Sequence, residues 1–256
     1  MKRLRIVNIV ALIVMLVVNA LASTTSLIGG TQTAAVSDAT PTLFTPAGYV
    51  FSIWSLIYIG LIAFAVFQAR NTPAAEVVRY KIGYWFAANA LFNVLWLFLW
   101  GAGWFWPSVI VMLGLLGTLI IIYQSLGIGQ DLAGGPDDSK LATWAVRVPF
   151  SIYTGWISVA TIANISAAVV NSGWQGGAPV QRFWTVVVLL AGTALGLLAT
   201  WLRRDVAYAL VVVWAFIGIA VARPQETLVM WVAILGAAVV ALGIVSKLTG
   251  WRPKPL

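Results

Sequence analysis

The stretch FTPAGYVFSIWSLIYIG, Phe44 to Gly60, begins as a turn and continues as an apolar run carrying Tyr49, Phe51, Trp54 and Tyr58. Pro-Ala-Gly marks a turn, and the apolar run set directly against it reads as the start of a membrane helix. From Ala47 to Phe67 it supplies the ~20 mostly apolar residues that a bilayer crossing requires. Seven other runs have the same character: Ile6 to Leu27, Tyr84 to Trp100, Trp106 to Leu126, Leu141 to Val170, Phe183 to Leu202, Val206 to Val221 and Leu228 to Val245. The expectation is an all-α polytopic bundle of eight membrane helices. Val206 to Val221 is the shortest of the eight.

Composition agrees. The chain has 256 residues, is 61% hydrophobic and 9% charged, and contains 14 Trp, which is the profile of a polytopic membrane protein. It has no Cys and no His. Thiol catalysis, disulfides, imidazole bases and the usual zinc and axial haem ligands are thereby excluded. The net charge of +8 sits at the ends of apolar runs and not on one soluble face, which argues against nucleic acid as a partner and for the lipid bilayer.

The basic residues also predict orientation, because Lys and Arg are retained on the cytoplasmic side. With the N-terminus inside, Lys2, Arg3, Arg5, Arg70, Arg79, Lys81, Lys140, Arg147, Arg203, Arg204, Lys247, Arg252 and Lys254 fall on the cytoplasmic side, and Arg182 and Arg223 fall outside. Both termini are then cytoplasmic, in a bacterial inner (plasma) membrane and not in an outer-membrane barrel. Met1 to Arg5, Ile6 to Val18 and Ala20-Leu21-Ala22 also resemble a signal peptide and its cleavage site. The apolar run continues to Leu27, so the segment is taken as a retained helix.

Residues three, four, seven and eight apart share a helix face. Phe51, Trp54 and Tyr58 form one stripe; Asn89, Asn93, Trp96 and Trp100 form another; Trp156, Ala160 and Asn164 form a third. In the predicted topology the three converge from mid-membrane to the outer half, beneath the loop Gly30 to Pro46. An interfacial Trp or an Asn joining neighbouring helices would produce similar patterns. Periodicity leaves packing and a ligand pocket both open.

FTPAGYVFSIWSLIY, NALFNVLWLFLWG and WISVATIAN, in that order on the second, third and fifth runs, resemble the TspO/MBR family of tryptophan-rich sensory and translocator proteins, which includes the peripheral benzodiazepine receptor. The matched positions are Pro46, Tyr49, Phe51, Trp54 and Tyr58, then Asn93 and Trp96, with Asn89 in the place of a preceding Gln, then Trp156, Ala160 and Asn164. The sequence departs from the family pattern at Tyr49, where Trp is usual, at Ser52-Ile53, where Gly-Pro is usual and one residue is missing, and at Pro149, which lies further upstream. The resemblance covers the five-helix unit, about Ile6 to Val170. It divides the chain into residues 1–172 and a C-terminal extension of about three helices, residues 173–256, whose Gly192-Thr193-Ala194-Leu195-Gly196 face suits close packing.

What the resemblance implies is a cavity in the five-helix bundle for a hydrophobic ligand, a porphyrin, haem or other tetrapyrrole, or an isoprenoid pigment, with no cofactor required. Pro46 would shape a hinge beneath a lid, and Tyr49, Phe51 and Trp54 an aromatic wall. The implied role is sensory or regulatory. No acid, His or Cys lies deep in any run, which argues against acid–base or nucleophilic catalysis, including the porphyrin degradation attributed to some family members, and against ion-coupled transport. A structural or assembly subunit of a larger membrane complex, such as a photosynthetic pigment–protein complex, is the alternative, and a homodimer is a further candidate assembly.

Overall fold

Eight apolar runs become eight apolar helices in the computed structural model, which describes residues 2–130, 139–174 and 176–250. They are α1 (Lys2–Thr24), α3 (Ile53–Ala69), α5 (Trp85–Gly101), α6 (Phe105–Ser125), α8 (Val148–Asn171), α9 (Gly177–Arg203), α10 (Val206–Ala222) and α11 (Thr227–Thr249). Shorter helices α2 (Thr33–Ala39), α4 (Pro73–Ile82) and α7 (Lys140–Ala142) lie in the connections. The described residues contain no strand. Six helical segments are long and apolar enough to cross a membrane, and α4 with α5, bent by 55°, makes up a seventh; α10 is a shorter apolar helix of 17 residues. The chain is thus an integral membrane protein with an all-α helical bundle. Arg252 and Lys254, expected on the cytoplasmic side, lie outside the described residues.

The chain forms two compact units. In the first, α1 packs on α5, α5 on α6, α6 on α8, α8 on α3 and α3 back on α1, so that successive neighbours close a ring of five helices. Close approach is built in where side chains are missing: a Cβ on Gly60 of α3 would lie 2.8 Å from Pro149 of α8. Pro149 follows a π-helical turn, Thr143–Arg147, at the start of α8. It stands near the helix N-terminus, where a missing N–H is tolerated. Below the amides of the ring, Phe64, Phe86 and Phe150 pack together with ring centroids 5.0 to 6.1 Å apart.

The end of α3 is capped by two arginines. Arg5 of α1 donates to the Ala69 carbonyl at 3.0 Å and to Asn71 Oδ1 at 3.1 Å. Arg79 of α4, only 3% exposed, donates to the carbonyls of Gln68 and Arg70. Cations at a helix C-terminus satisfy its orphan carbonyls and oppose the negative end of its dipole.

The second unit contains α9, α10 and α11, each packed on the other two, together with Leu43–Phe51 from the connection between α2 and α3. The first unit comprises residues 1–42 and 52–174, so Leu43–Phe51 interrupts it in sequence. The Gly192 and Gly196 face does pack closely: added Cβ atoms would lie 2.9 Å from Phe216 and 3.0 Å from Val240. A two-residue turn joins α9 to α10. Arg204 adopts the left-handed conformation (φ 51°), the Asp205 amide donates to the Ala199 carbonyl at 2.9 Å, and Asp205 Oδ1 accepts from the Tyr208 amide at 3.1 Å to cap α10. This is how a connection so short can terminate one helix and start the next.

Candidate functional site

In α3 the offsets of zero and four bring Trp54 and Tyr58 into a stack, with centroids 5.6 Å apart. From α8, the rings of Tyr153 and Trp156 meet Trp54 edge-on at 5.9 and 6.3 Å. Trp54 and Tyr58 are partly exposed, whereas Tyr153 and Trp156 are buried. Four aromatic rings from two antiparallel helices therefore gather on one side of the ring. Their π-faces and edges provide a large apolar area with few rotatable bonds.

A chain of amides and phenols joins these rings to the neighbouring helices. The Tyr58 hydroxyl donates to Asn19 Oδ1 at 2.7 Å; Asn19 Nδ2 donates to Asn93 Oδ1 at 2.7 Å and to the Met15 carbonyl; Asn93 Nδ2 donates to the Tyr153 hydroxyl at 3.1 Å. One run of hydrogen bonds thus links α3, α1, α5 and α8. In an apolar surrounding a buried polar group needs such a partner, so the chain fixes the register of four helices at once.

A second polar cluster lies further along α5 and α8. Trp96 Nε1 donates to Asn164 Oδ1 at 2.9 Å, and Asn164 Nδ2 donates to Ser108 Oγ of α6 at 2.9 Å. Trp96 stacks on Trp100 at 5.5 Å, and Trp100 Nε1 donates to the Thr33 carbonyl at 3.1 Å, tying the short helix α2 to α5. The same connection is seated where Gly29 meets Gly101: a Cβ on Gly29, which has a φ of 72°, would lie 2.6 Å from the Phe98 carbonyl oxygen.

Of the residues singled out in the sequence, Trp54, Tyr58, Asn93 and Trp156 come together. Trp96 and Asn164 bond directly to each other, and Ala160 is partly buried between Trp156 and Asn164 on the same helix. Asn89, though 0% exposed, bonds elsewhere: its Nδ2 donates to Thr118 Oγ1 at 2.9 Å and to the Leu115 carbonyl, both on α6. Pro46, Tyr49 and Phe51 belong to the second unit. Tyr49 packs edge-on against Trp214 of α10 at 5.3 Å, the Ala47 amide donates to the Gly218 carbonyl at 3.0 Å, and Trp214 Nε1 donates to the Val50 carbonyl at 3.1 Å. The expected wall of Tyr49, Phe51 and Trp54 is therefore divided between two packing environments. The cause is Gly218, whose missing side chain admits Val50: a Cβ there would lie 2.1 Å from Val50 Cγ2.

Asn19, Tyr153 and Ser108 were not foreseen. Signals for the first two exist: Asn8 and Asn19 are eleven positions apart, three full helical turns, and Tyr153 precedes Trp156 by three. Asn8 also finds an amide partner, donating to Gln68 Oε1 at 3.2 Å. Arg182, one of the two cations expected on the outer side, is engaged with Glu226 at 2.6 and 3.3 Å. That hydrogen bond holds the Glu226 carboxyl below the usual carboxylate range.

No grouping of three or more acidic residues among the described residues could hold a metal ion. For haem, the phenol of Tyr58 already donates to Asn19 and that of Tyr153 is fully buried, so neither is set up as an axial ligand.

A family model described as TSPO-like protein matches residues 5–246. The match covers most of the chain, and the protein belongs to this TSPO-like family. It also runs through α9, α10 and nearly all of α11, so the C-terminal helices, which the motifs left outside the resemblance, fall within the matched region. No curated protein and no solved structure matches the chain.

Proposed function

We propose that this membrane protein binds a hydrophobic, flat, tetrapyrrole-like molecule within the five-helix ring and has a sensory or regulatory role. The observation that carries the reading is the convergence of Trp54, Tyr58, Tyr153 and Trp156 beside the Asn19–Asn93 pair. Aromatic faces hold a planar ring system, and a few amides orient its polar substituents. Family membership supports it. Metal-free porphyrins and apolar pigments suit the residues better than ligands that need iron coordination or an arginine clamp. Catalysis is not part of the proposal: the ionisable groups of the cluster are phenols engaged in hydrogen bonds, with no carboxylate, imidazole or thiol beside them.

The orientation proposed with this function has eight crossings and both termini in the cytoplasm of a bacterial inner membrane. It is supported by the segregation of thirteen basic residues from Arg182 and Arg223, and by Arg5, Arg70 and Arg79 meeting at one end of α3.

A second reading is a structural or assembly subunit of a larger membrane complex, such as one that carries pigments. It is favoured by the amides themselves, because Asn93 and Asn164 bond to other side chains of the same bundle. Titration of the purified protein with protoporphyrin IX, followed by absorbance and Trp fluorescence, separates the two. Saturable binding weakened by Trp54→Ala supports the first; no binding by the monomer, with purification only as part of an assembly, supports the second.

A further inference from the structure

The first turn of α1 and the turn between α3 and α4 carry a concentration of positive charge that the aromatic site does not use. Arg5 ties the two together through Ala69 and Asn71. Lys2, Arg3, Arg5, Arg70, Arg79 and Lys81 thus share this end with one acid on the same segments, Glu76. Arg5 and Arg79 are directed inward to the carbonyls that end α3. Lys2, Arg3 and Arg70 remain exposed.

Where these cations lie along the membrane normal is set by the helices that bear them. Lys2 begins an apolar segment long enough to cross the bilayer, and Arg70 immediately follows another. Charged residues at such ends stand at headgroup depth. The helix between them and α5 is built for the same depth. α4 is bent 55° from α5 at Gly83, whose φ is 55°. It buries Ala75, Val78, Arg79 and Ile82 on one side, while Tyr80 is 80% exposed, and Tyr84 and Trp85 next to it are also exposed. Tyr and Trp rings concentrate at this interface because each has an apolar body and a polar edge.

We propose that this end of the first unit is a docking surface for the headgroups of anionic phospholipids, with Lys2, Arg3 and Arg70 contacting phosphate and Tyr80, Tyr84 and Trp85 resting at the acyl boundary. Charge complementarity identifies the occupant. Clustered Lys and Arg beside a spanning helix attract acidic lipids, each charge adding a several-fold preference. An acidic protein would match the charge but would not account for the exposed rings beside it.

The test uses the full-length protein reconstituted into nanodiscs containing phosphatidylcholine with or without phosphatidylglycerol, with the lipids retained after mild-detergent extraction identified by native mass spectrometry. The wild type is expected to retain phosphatidylglycerol preferentially. The triple variant Lys2→Gln, Arg3→Gln, Arg70→Gln is expected to lose this preference by about a hundredfold, if the several-fold gain per charge multiplies. Because the three side chains are exposed, folding should persist. An independent readout that needs no variant is salt, since raised ionic strength should erode the wild-type preference. Equal retention of the two lipids, or a preference that survives both the substitutions and salt, overturns the proposal; unaltered lipid retention with loss of a co-purifying acidic protein would assign the cations to that protein instead.

Discussion

The two units solve the same problem, holding apolar helices together in a medium as apolar as they are, by different means. The five-helix ring is joined by side chains that reach from helix to helix: Tyr58 to Asn19, Asn19 to Asn93, Asn93 to Tyr153, Trp96 to Asn164 and Asn89 to Thr118. In the three-helix unit the buried threonines Thr185 and Thr200 bond back to their own helices. Besides the Arg182–Glu226 pair at the helix ends and the Trp214 bond to Val50, close contacts between its helices are made at glycines. The ring of Phe216 wedges between Gly192 and Gly236, where added Cβ atoms would lie 2.9 and 2.8 Å from it, and Gly196 admits Val240. Polar links specify register and can be lent to a ligand; glycine notches give van der Waals contact and little chemistry. The difference teaches where to look for function, and it makes α9 to α11 a scaffold that also fastens Leu43–Phe51.

That division can be broken at both ends. Phe216→Ala empties both glycine notches and should produce the largest loss, about 4 kcal/mol, read as reduced thermal stability in detergent with ligand binding by the remaining folded protein unchanged. Gly218→Leu should cost about 2 to 3 kcal/mol through overpacking against Val50. Its specific signature is altered Trp214 fluorescence, because the Trp214 hydrogen bond to the Val50 carbonyl would be lost. In the ring, Asn93→Leu removes an acceptor from Asn19 and a donor to Tyr153 and should cost about 2 kcal/mol. Unlike Phe216→Ala, it should also change ligand affinity. Similar ligand responses in the two variants would erase the proposed contrast.

The smallest effect concerns the pair at the start of α9 and α11. The Glu226 carboxyl is held low by Arg182, so its contribution is present above the unfolded-state pKa of ~4.3 and is lost as pH falls through the lower folded value. Melting temperature measured from neutral to acidic pH should show a slight extra fall in the wild type that is missing in Glu226→Gln. The effect is small because both side chains are partly exposed and the pair is screened by solvent.

The helices were legible in the sequence because a bilayer demands long apolar runs, and each predicted run overlaps an observed helical segment with ends shifted by at most six residues. The aromatic stripes on α3 and α8 were legible for the same reason that helical periodicity is, and Trp54 does meet Trp156. What periodicity could not supply was the partner of each face. Asn89 and Asn93 are one turn apart, yet one bonds to α6 and the other to α1 and α8. The docking of Tyr49 on Trp214 depends on a contact across more than 160 residues, and its one sequence trace is a glycine in an apolar helix, among 23 glycines in the chain.

The most direct test of the central claim is titration of the purified full-length protein with protoporphyrin IX, comparing wild type with Trp54→Ala and Trp156→Ala at matched folded fractions. The account predicts saturable binding with quenched Trp fluorescence, weakened about tenfold by loss of either ring, in line with the ~0.5 to 1.5 kcal/mol of a ring–ring contact plus the area it buries. Binding unaffected by both substitutions, or no saturable binding by the wild type, would contradict it.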